Sequence, residues 1–111
     1  MDNTEIDKWG NIKGVPFNEV EEHNGSNFIK IDMFELAIQN KPKFFFGFRL
    51  KIDKLARQKT PNIANESFNS VDDARIAAQN MIIDLCRKNK IIKKLLADFT
   101  LVKYNQPELF L

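Results

Sequence analysis

The chain has 111 residues, 43% hydrophobic and 29% charged, with one histidine, one cysteine and a formal net charge of +2. That composition provides for one hydrophobic core in a single domain spanning 1–111, with the charge of an ordinary water-exposed surface. It excludes an internal disulfide, because Cys86 has no partner, and no apolar run approaches the roughly 20 residues that cross a bilayer as a helix.

Residues 1–27 scatter Trp9, Ile12, Val15 and Phe17 among Gly10, Gly14, Pro16 and the turn-like Asn24-Gly25-Ser26. No period is sustained there, which predicts an irregular acidic arm whose aromatics pin it to the core. Phe28 to Ile38 is rich in β-formers but switches face: Ile29, Ile31 and Met33 align first, then Phe34, Leu36 and Ile38. A one-residue bulge near Met33 would reconcile the halves, although Asp32 and Glu35 also write a capping box that would open a short helix. The strand reading is preferred, and a hairpin over 28–52 then turns through Gln39-Asn40-Lys41-Pro42. From Lys43 to Asp53 the alternation is regular. Phe44, Phe46, Phe48, Leu50 and Ile52 share one face, and Phe45, Gly47, Arg49, Lys51 and Asp53 share the other. Such an apolar face requires a helix layer over it.

Leu55 to Asn69 reads as a connecting loop around Thr60-Pro61-Asn62. Ser70 caps a helix, with Asp72 and Asp73 in the first turn where the macrodipole favours them. Ala74, Ala78, Met81, Ile82 and Leu85 form its apolar stripe, and Ile92, Leu95, Leu96 and Phe99 continue the phase. A single helix over 71–99 would be about 43 Å long, too long for a domain whose radius of gyration is about 13 Å. It would also bring Lys88 and Asn89 onto the stripe, so a break is expected at Asn89. The fold class is therefore α+β: a small antiparallel sheet, built on the 28–52 hairpin, packed on one main helix (71–88) plus a shorter helix (90–98). Asp98 to Tyr104 adds a last strand, and 105–111 forms an extended tail.

The pattern Phe68-x-Ser70-x-x-Asp73-Ala74-x-x-Ala77 after a strand is similar to that of small DNA-reading domains with a sheet and one helix, such as integrase arm-binding domains. It is also the general way to lay a helix on a sheet, and no function is carried over from it.

Enzyme chemistry has little to work with. His23 lies in the polar turn Glu21-Glu22-His23-Asn24-Gly25, without the three or four convergent ligands of a zinc site. Cys86 has no CxxC pattern, helix electrostatics accounts for Asp72 and Asp73, and the four glycines are isolated. The expectation is a non-enzymatic protein with no cofactor and no metal.

Charge is distributed unevenly. Residues 1–40 hold eight acidic and three basic side chains, 3 − 8 = −5, whereas 41–111 hold fourteen basic and seven acidic, 14 − 7 = +7. Lys43, Phe45, Arg49, Lys51 and Arg57 make a candidate nucleic-acid surface, a basic strand with an aromatic for stacking and Gly47 leaving room for close approach. Arg87, Lys88, Lys90, Lys93 and Lys94 form a second basic group, which suits a helix C-terminus by itself. The competing reading is that the acidic arm lies across the basic remainder and neutralises it. Ile76 and Ile83 stand opposite the main helical stripe, where they would meet a partner, a second copy in a weak homodimer, or the arm through Trp9 and Phe17.

The final residues, Gln106-Pro107-Glu108-Leu109-Phe110-Leu111, have an order of Gln, two variable positions, Leu and Phe. That order resembles the short peptide by which bacterial replication and repair proteins dock on the sliding clamp. The resemblance implies that Gln106 hydrogen-bonds in a polar pocket while Leu109 and Phe110 fill a hydrophobic groove. It covers five residues, and Leu109 to Leu111 could equally pack back on the domain. Asn, Ile and Lys number 12, 12 and 13, all with A/T-rich codons, which points to a low-GC bacterium, its phage or a mobile element. The polar N-terminus and the lone cysteine suggest a cytoplasmic protein, with no membrane role. Two functions remain open. One is an accessory or regulatory protein of DNA transactions, acting through the basic strand face and the docking peptide. The other is a protein–protein interaction module, an inhibitor or assembly adaptor, with self-paired charges. The placement of residues 1–27 discriminates between them.

Overall fold

A computed structural model describes residues 4–103; the expected tail with Gln106, Leu109 and Phe110 lies outside the described residues. Four strands are joined by three two-residue turns into an antiparallel meander in chain order. These are β3 (Asn18–Asn24), β4 (Asn27–Ile38), β5 (Lys41–Ile52) and β6 (Leu55–Lys59), preceded by a separate two-stranded pair, β1 (Glu5–Ile6) and β2 (Ile12–Lys13). The closing pairs Asn24↔Asn27, Ile38↔Lys41 and Ile52↔Leu55 leave Gly25-Ser26, Gln39-Asn40 and Asp53-Lys54 as the turns. Gln39 (φ 52°) and Asn40 (φ 65°) are both left-handed, the geometry whose twist suits a tight hairpin. The central turn therefore takes two residues and not four.

The arm expected to be irregular also holds the short pair β1 and β2, and two longer elements differ from expectation. Residues 18–24, expected to be irregular, form β3, and 55–59, expected to be loop, form β6. Both are edge strands, and each sends few apolar side chains inward: Val20 from β3 and Leu55 from β6 pack against the core. A strand that buries so little writes no apolar alternation.

The helices α1 (Val71–Cys86), α2 (Lys90–Leu96) and α3 (Thr100–Lys103) follow. On one face of the sheet, Ile29, Ile31, Met33, Phe46, Phe48, Leu50 and Ile52 pack against Ala74, Ala78, Ile82, Ile83 and Cys86 of α1, with Ile92, Leu96 and Phe99 completing the core. The expected alternation of β5 holds throughout. The bulge at Met33 does not exist, because β4 and β5 pair without interruption from Phe28↔Lys51 to Ile38↔Lys41. The face switch has another cause. Phe34, Leu36 and Phe45 point away from α1 and form a second cluster with Ile12 of β2. The buried face of β4 therefore changes along the strand, from Ile29, Ile31 and Met33 under α1 to Phe34 and Leu36 beside Ile12, while Glu35 and Ala37 take the α1-side positions toward the tip.

The arm is therefore pinned by Ile12, and not by Trp9, which is 70% exposed. Ile12 N–H donates to the Pro61 carbonyl at 2.8 Å, and Asn62 Nδ2 donates to the Trp9 carbonyl and to Asn11 Oδ1. Asp7 organises the β1–β2 loop, accepting from the N–H groups of Trp9 and Asn11, each at 2.9 Å. Desolvation works against ionisation there, but these bonds outweigh it and hold the Asp7 carboxyl below its usual range.

Ser70 Oγ accepts from Asp73 N–H at 3.0 Å and starts α1 as expected. The break falls at Asn89, whose Oδ1 accepts from the N–H groups of Ile91 and Ile92 and so caps α2. The expected last strand is instead α3. Glu22 of β3 accepts from Thr100 and Leu101 N–H at 2.9 and 3.1 Å, which supplies that short helix with an N-terminal cap from across the fold. Among the described residues, no helix is long and apolar enough to cross a membrane.

Candidate functional site

The face of the sheet turned away from α1 carries the candidate nucleic-acid residues. Cross-strand pairing sorts it into rows. Glu19, Asp32 and Gly47 form one, Glu21, Lys30, Arg49 and Gln58 the next, and His23, Phe28, Lys51 and Ala56 the last. Directly opposed residues project to the same side, so Arg49 and Lys51 share a surface with the carboxylates of β3. These rows hold Lys30, Arg49 and Lys51 against Glu19, Glu21 and Asp32, or 3 − 3 = 0.

The five expected residues are not brought together. Arg49 and Lys51 are exposed on this face. Phe45 is 1% exposed, buried under Ile12 with Phe34 and Leu36, so it offers no stacking surface. Arg57 opposes Leu50 and so projects to the α1 side, where its guanidinium donates to the Ala56 carbonyl. Lys43 lies toward the hairpin tip and donates to Asn69 Oδ1 at 2.6 Å. The room left by Gly47 is used by the chain itself. A Cβ there would stand 2.6 Å from Pro61 Cδ and 2.7 Å from the Lys59 carbonyl oxygen.

Beside Gly47 is a hollow of about 160 Å³ lined by Asp32, Arg49, Gln58, Thr60 and Pro61 among others. One carboxylate oxygen of Asp32 is buried there without a hydrogen-bond partner. Burial raises the Asp32 pKa; Lys30 opposes that shift and the neighbouring Glu19 adds to it. Lys30 also pairs with Glu19 at 3.8 Å. Glu21 bonds the His23 ring and is held below the usual carboxylate range, first by that bond and further by the charges of His23, Lys30 and Arg49. His23 lies on an exposed edge strand, 5.7 Å from the Phe28 ring. The acidic segment thus places Glu19 and Glu21 on the same face as Arg49 and Lys51, with β4 between the two strands. The sequence signal for this was the Glu19-x-Glu21 spacing, which aligns both acids on one face once 18–24 is taken as a strand.

On α1 the buried face is turned from the expected stripe. Ile83, expected at a partner surface, is 4% exposed and part of the helix–sheet core, because Gln79, Ile83 and Cys86 all pack inward. Ile76 is 36% exposed, while Met81 and Leu85, expected in the core, are exposed as well. Of the arm, Ile12 seats on the opposite face of the sheet, and Phe17 packs edge-on against Phe44 at 5.6 Å between ring centres. Burial pushes the Cys86 thiol up to about 11, which leaves almost no thiolate at neutral pH. Gln79 Oε1 is buried with no hydrogen-bond partner, and nothing in the sequence distinguished this glutamine from a surface one. Among the described residues, no group of three or more histidines, cysteines or carboxylates could hold a metal ion. No family model, curated protein or solved structure matches the chain.

Proposed function

We propose that this chain is a protein–protein interaction module, an adaptor or inhibitor without enzymatic activity, and not a nucleic-acid reader. The observation that carries this reading is the balance in the three open rows of the outer sheet face, where Glu19, Glu21 and Asp32 stand among Lys30, Arg49 and Lys51. A duplex or single strand binds by placing phosphates against unbalanced cations, and every carboxylate in the footprint opposes it. The burial of Phe45 also takes one stacking aromatic off the basic strand, which leaves the half-buried Phe28 in the row of Lys51 as the phenylalanine of these rows. The Gln106 to Phe110 peptide fits the same reading as a docking element toward a sliding clamp or another groove-bearing partner.

Capture from a nuclease-treated low-GC bacterial lysate tests the proposal, using the full chain and a chain ending at Asn105. Protein partners that persist after nuclease treatment support it, and their loss on truncation assigns them to the peptide. Partners that vanish with nuclease would overturn it in favour of nucleic-acid binding.

A further inference from the structure

On the α1 side the core is incompletely covered between α1 and the segment 65–68. A cavity of about 510 Å³ opens there, with Phe46 and Phe68 at its base and Ala77 and Met81 along the helix. Its volume is that of a pocket for one or two large side chains. The sequence stripe on α1 is wider than its own core uses, which leaves Met81 apolar and exposed on this flank.

Three charged residues line the opening, Lys59, Glu66 and Asp84. Lys59 reaches into the cavity, but its ammonium donates to the Phe46 carbonyl at 3.1 Å and stands 4.4 Å from the Phe46 ring centre. That cation is engaged within the chain. Glu66 and Asp84 line the cavity, and Asp73 stands one turn before Ala77 on the same file of α1. Asp84 has Arg87 at 3.6 Å, an exposed pair that an approaching cation can rearrange.

We propose that this cavity receives a large apolar side chain of a partner peptide whose flanking residues are Lys or Arg. The apolar group fills the space over Phe46, Phe68 and Met81, and the cations face Glu66 and Asp84. The proposal deepens the protein-binding reading and rests on it. The chain's own Glu108-Leu109-Phe110 sets an acid beside its apolar pair, the wrong sign for this rim.

The test is titration of the isotope-labelled full chain, followed by NMR, with two synthetic peptides, Gly-Lys-Lys-Leu-Phe-Lys-Gly and Gly-Glu-Glu-Leu-Phe-Glu-Gly. The lysine peptide is expected to saturate shifts at the Met81 methyl and the Ala77 amide, at least tenfold more tightly than the glutamate peptide. Met81→Arg abolishes these shifts while the remaining spectrum is preserved, and Glu66→Lys with Asp84→Lys reverses the preference between peptides. Equal binding of the two peptides, or no saturable shift at Met81, overturns the proposal. So does self-association of the chain alone through Met81, which would make a second copy the occupant. If Met81→Arg still captures the nuclease-resistant protein partners, the cavity assignment falls while the protein-binding reading stands.

Discussion

The two faces of the four-stranded sheet are built differently. Under α1 the inward residues of β4 from Ile29 to Met33 and of β5 from Phe44 to Ile52 are apolar, and α1 covers them together with Ile92 and Leu96 of α2. The opposite face is divided: Ile12 covers Phe34, Leu36 and Phe45 at the hairpin tip, and charged rows stand open at the other end. The difference shows that a period of two reports how many faces are covered, and not only that a strand is present. Where one face is buried the alternation is regular, as in Arg49 to Lys51. Where both are buried the pattern runs together, as in Phe44-Phe45-Phe46, and imitates a shift of register.

The strongest way to probe this contrast is to remove one side chain from each face. Phe48→Ala on the α1 side is expected to cost about 3–5 kcal/mol, because Phe48 is enclosed by sheet and helix core. Ile12→Ala removes the single aliphatic lid of a four-residue cluster and is expected to cost about 2 kcal/mol, with loss confined to residues near Phe45 and Pro61. Denaturant unfolding checks both, and equal costs would mean that the two clusters are one cooperative core. Gly47→Ala sharpens the same boundary. Its Cβ would force Pro61 away from β5, and the expected loss is about 1–3 kcal/mol. Amide exchange should report it first at Ile12, whose N–H bonds the Pro61 carbonyl.

A smaller effect is expected at Asp32. Its folded-state pKa is raised, so the native state holds the proton more tightly than the unfolded chain and ionisation at neutral pH opposes folding. As pH falls through the raised value toward the ordinary carboxylate range, that opposition disappears. Asp32→Asn should therefore be more stable than wild type at pH 7, by less than about 1 kcal/mol given its partial exposure, and the gap should close in acid. A gap that is independent of pH between 7 and 4 would show that Asp32 is not the titrating group.

How much of this was legible depended on which residues carry each element. The hairpin 28–52, the Ser70 cap and the break at Asn89 were readable, because turn chemistry, capping and the apolar period all act locally. Strands β3 and β6 were not, because they use backbone pairing at the sheet edges and bury little. The helix α3 was not, because its cap is Glu22, far away in sequence. The candidate site suffered from the same gap. Arg49 and Lys51 were placed on the correct face, but their acidic neighbours became visible only once 18–24 was known to pair beside β4. Phe45 shared the right parity and was still unavailable, since parity does not reveal that Ile12 lies over it.

The account depends most on the charge balance of that outer face. Fluorescence anisotropy of labelled duplex and single-stranded DNA, with wild type and with Glu19→Gln/Glu21→Gln, tests it across about 50 to 200 mM salt. Wild type is expected to show no saturable binding, and removal of the two carboxylates is expected to produce weak, steeply salt-dependent binding. Tight binding by wild type that weakens steeply with salt and is lost in Arg49→Ala would contradict the account.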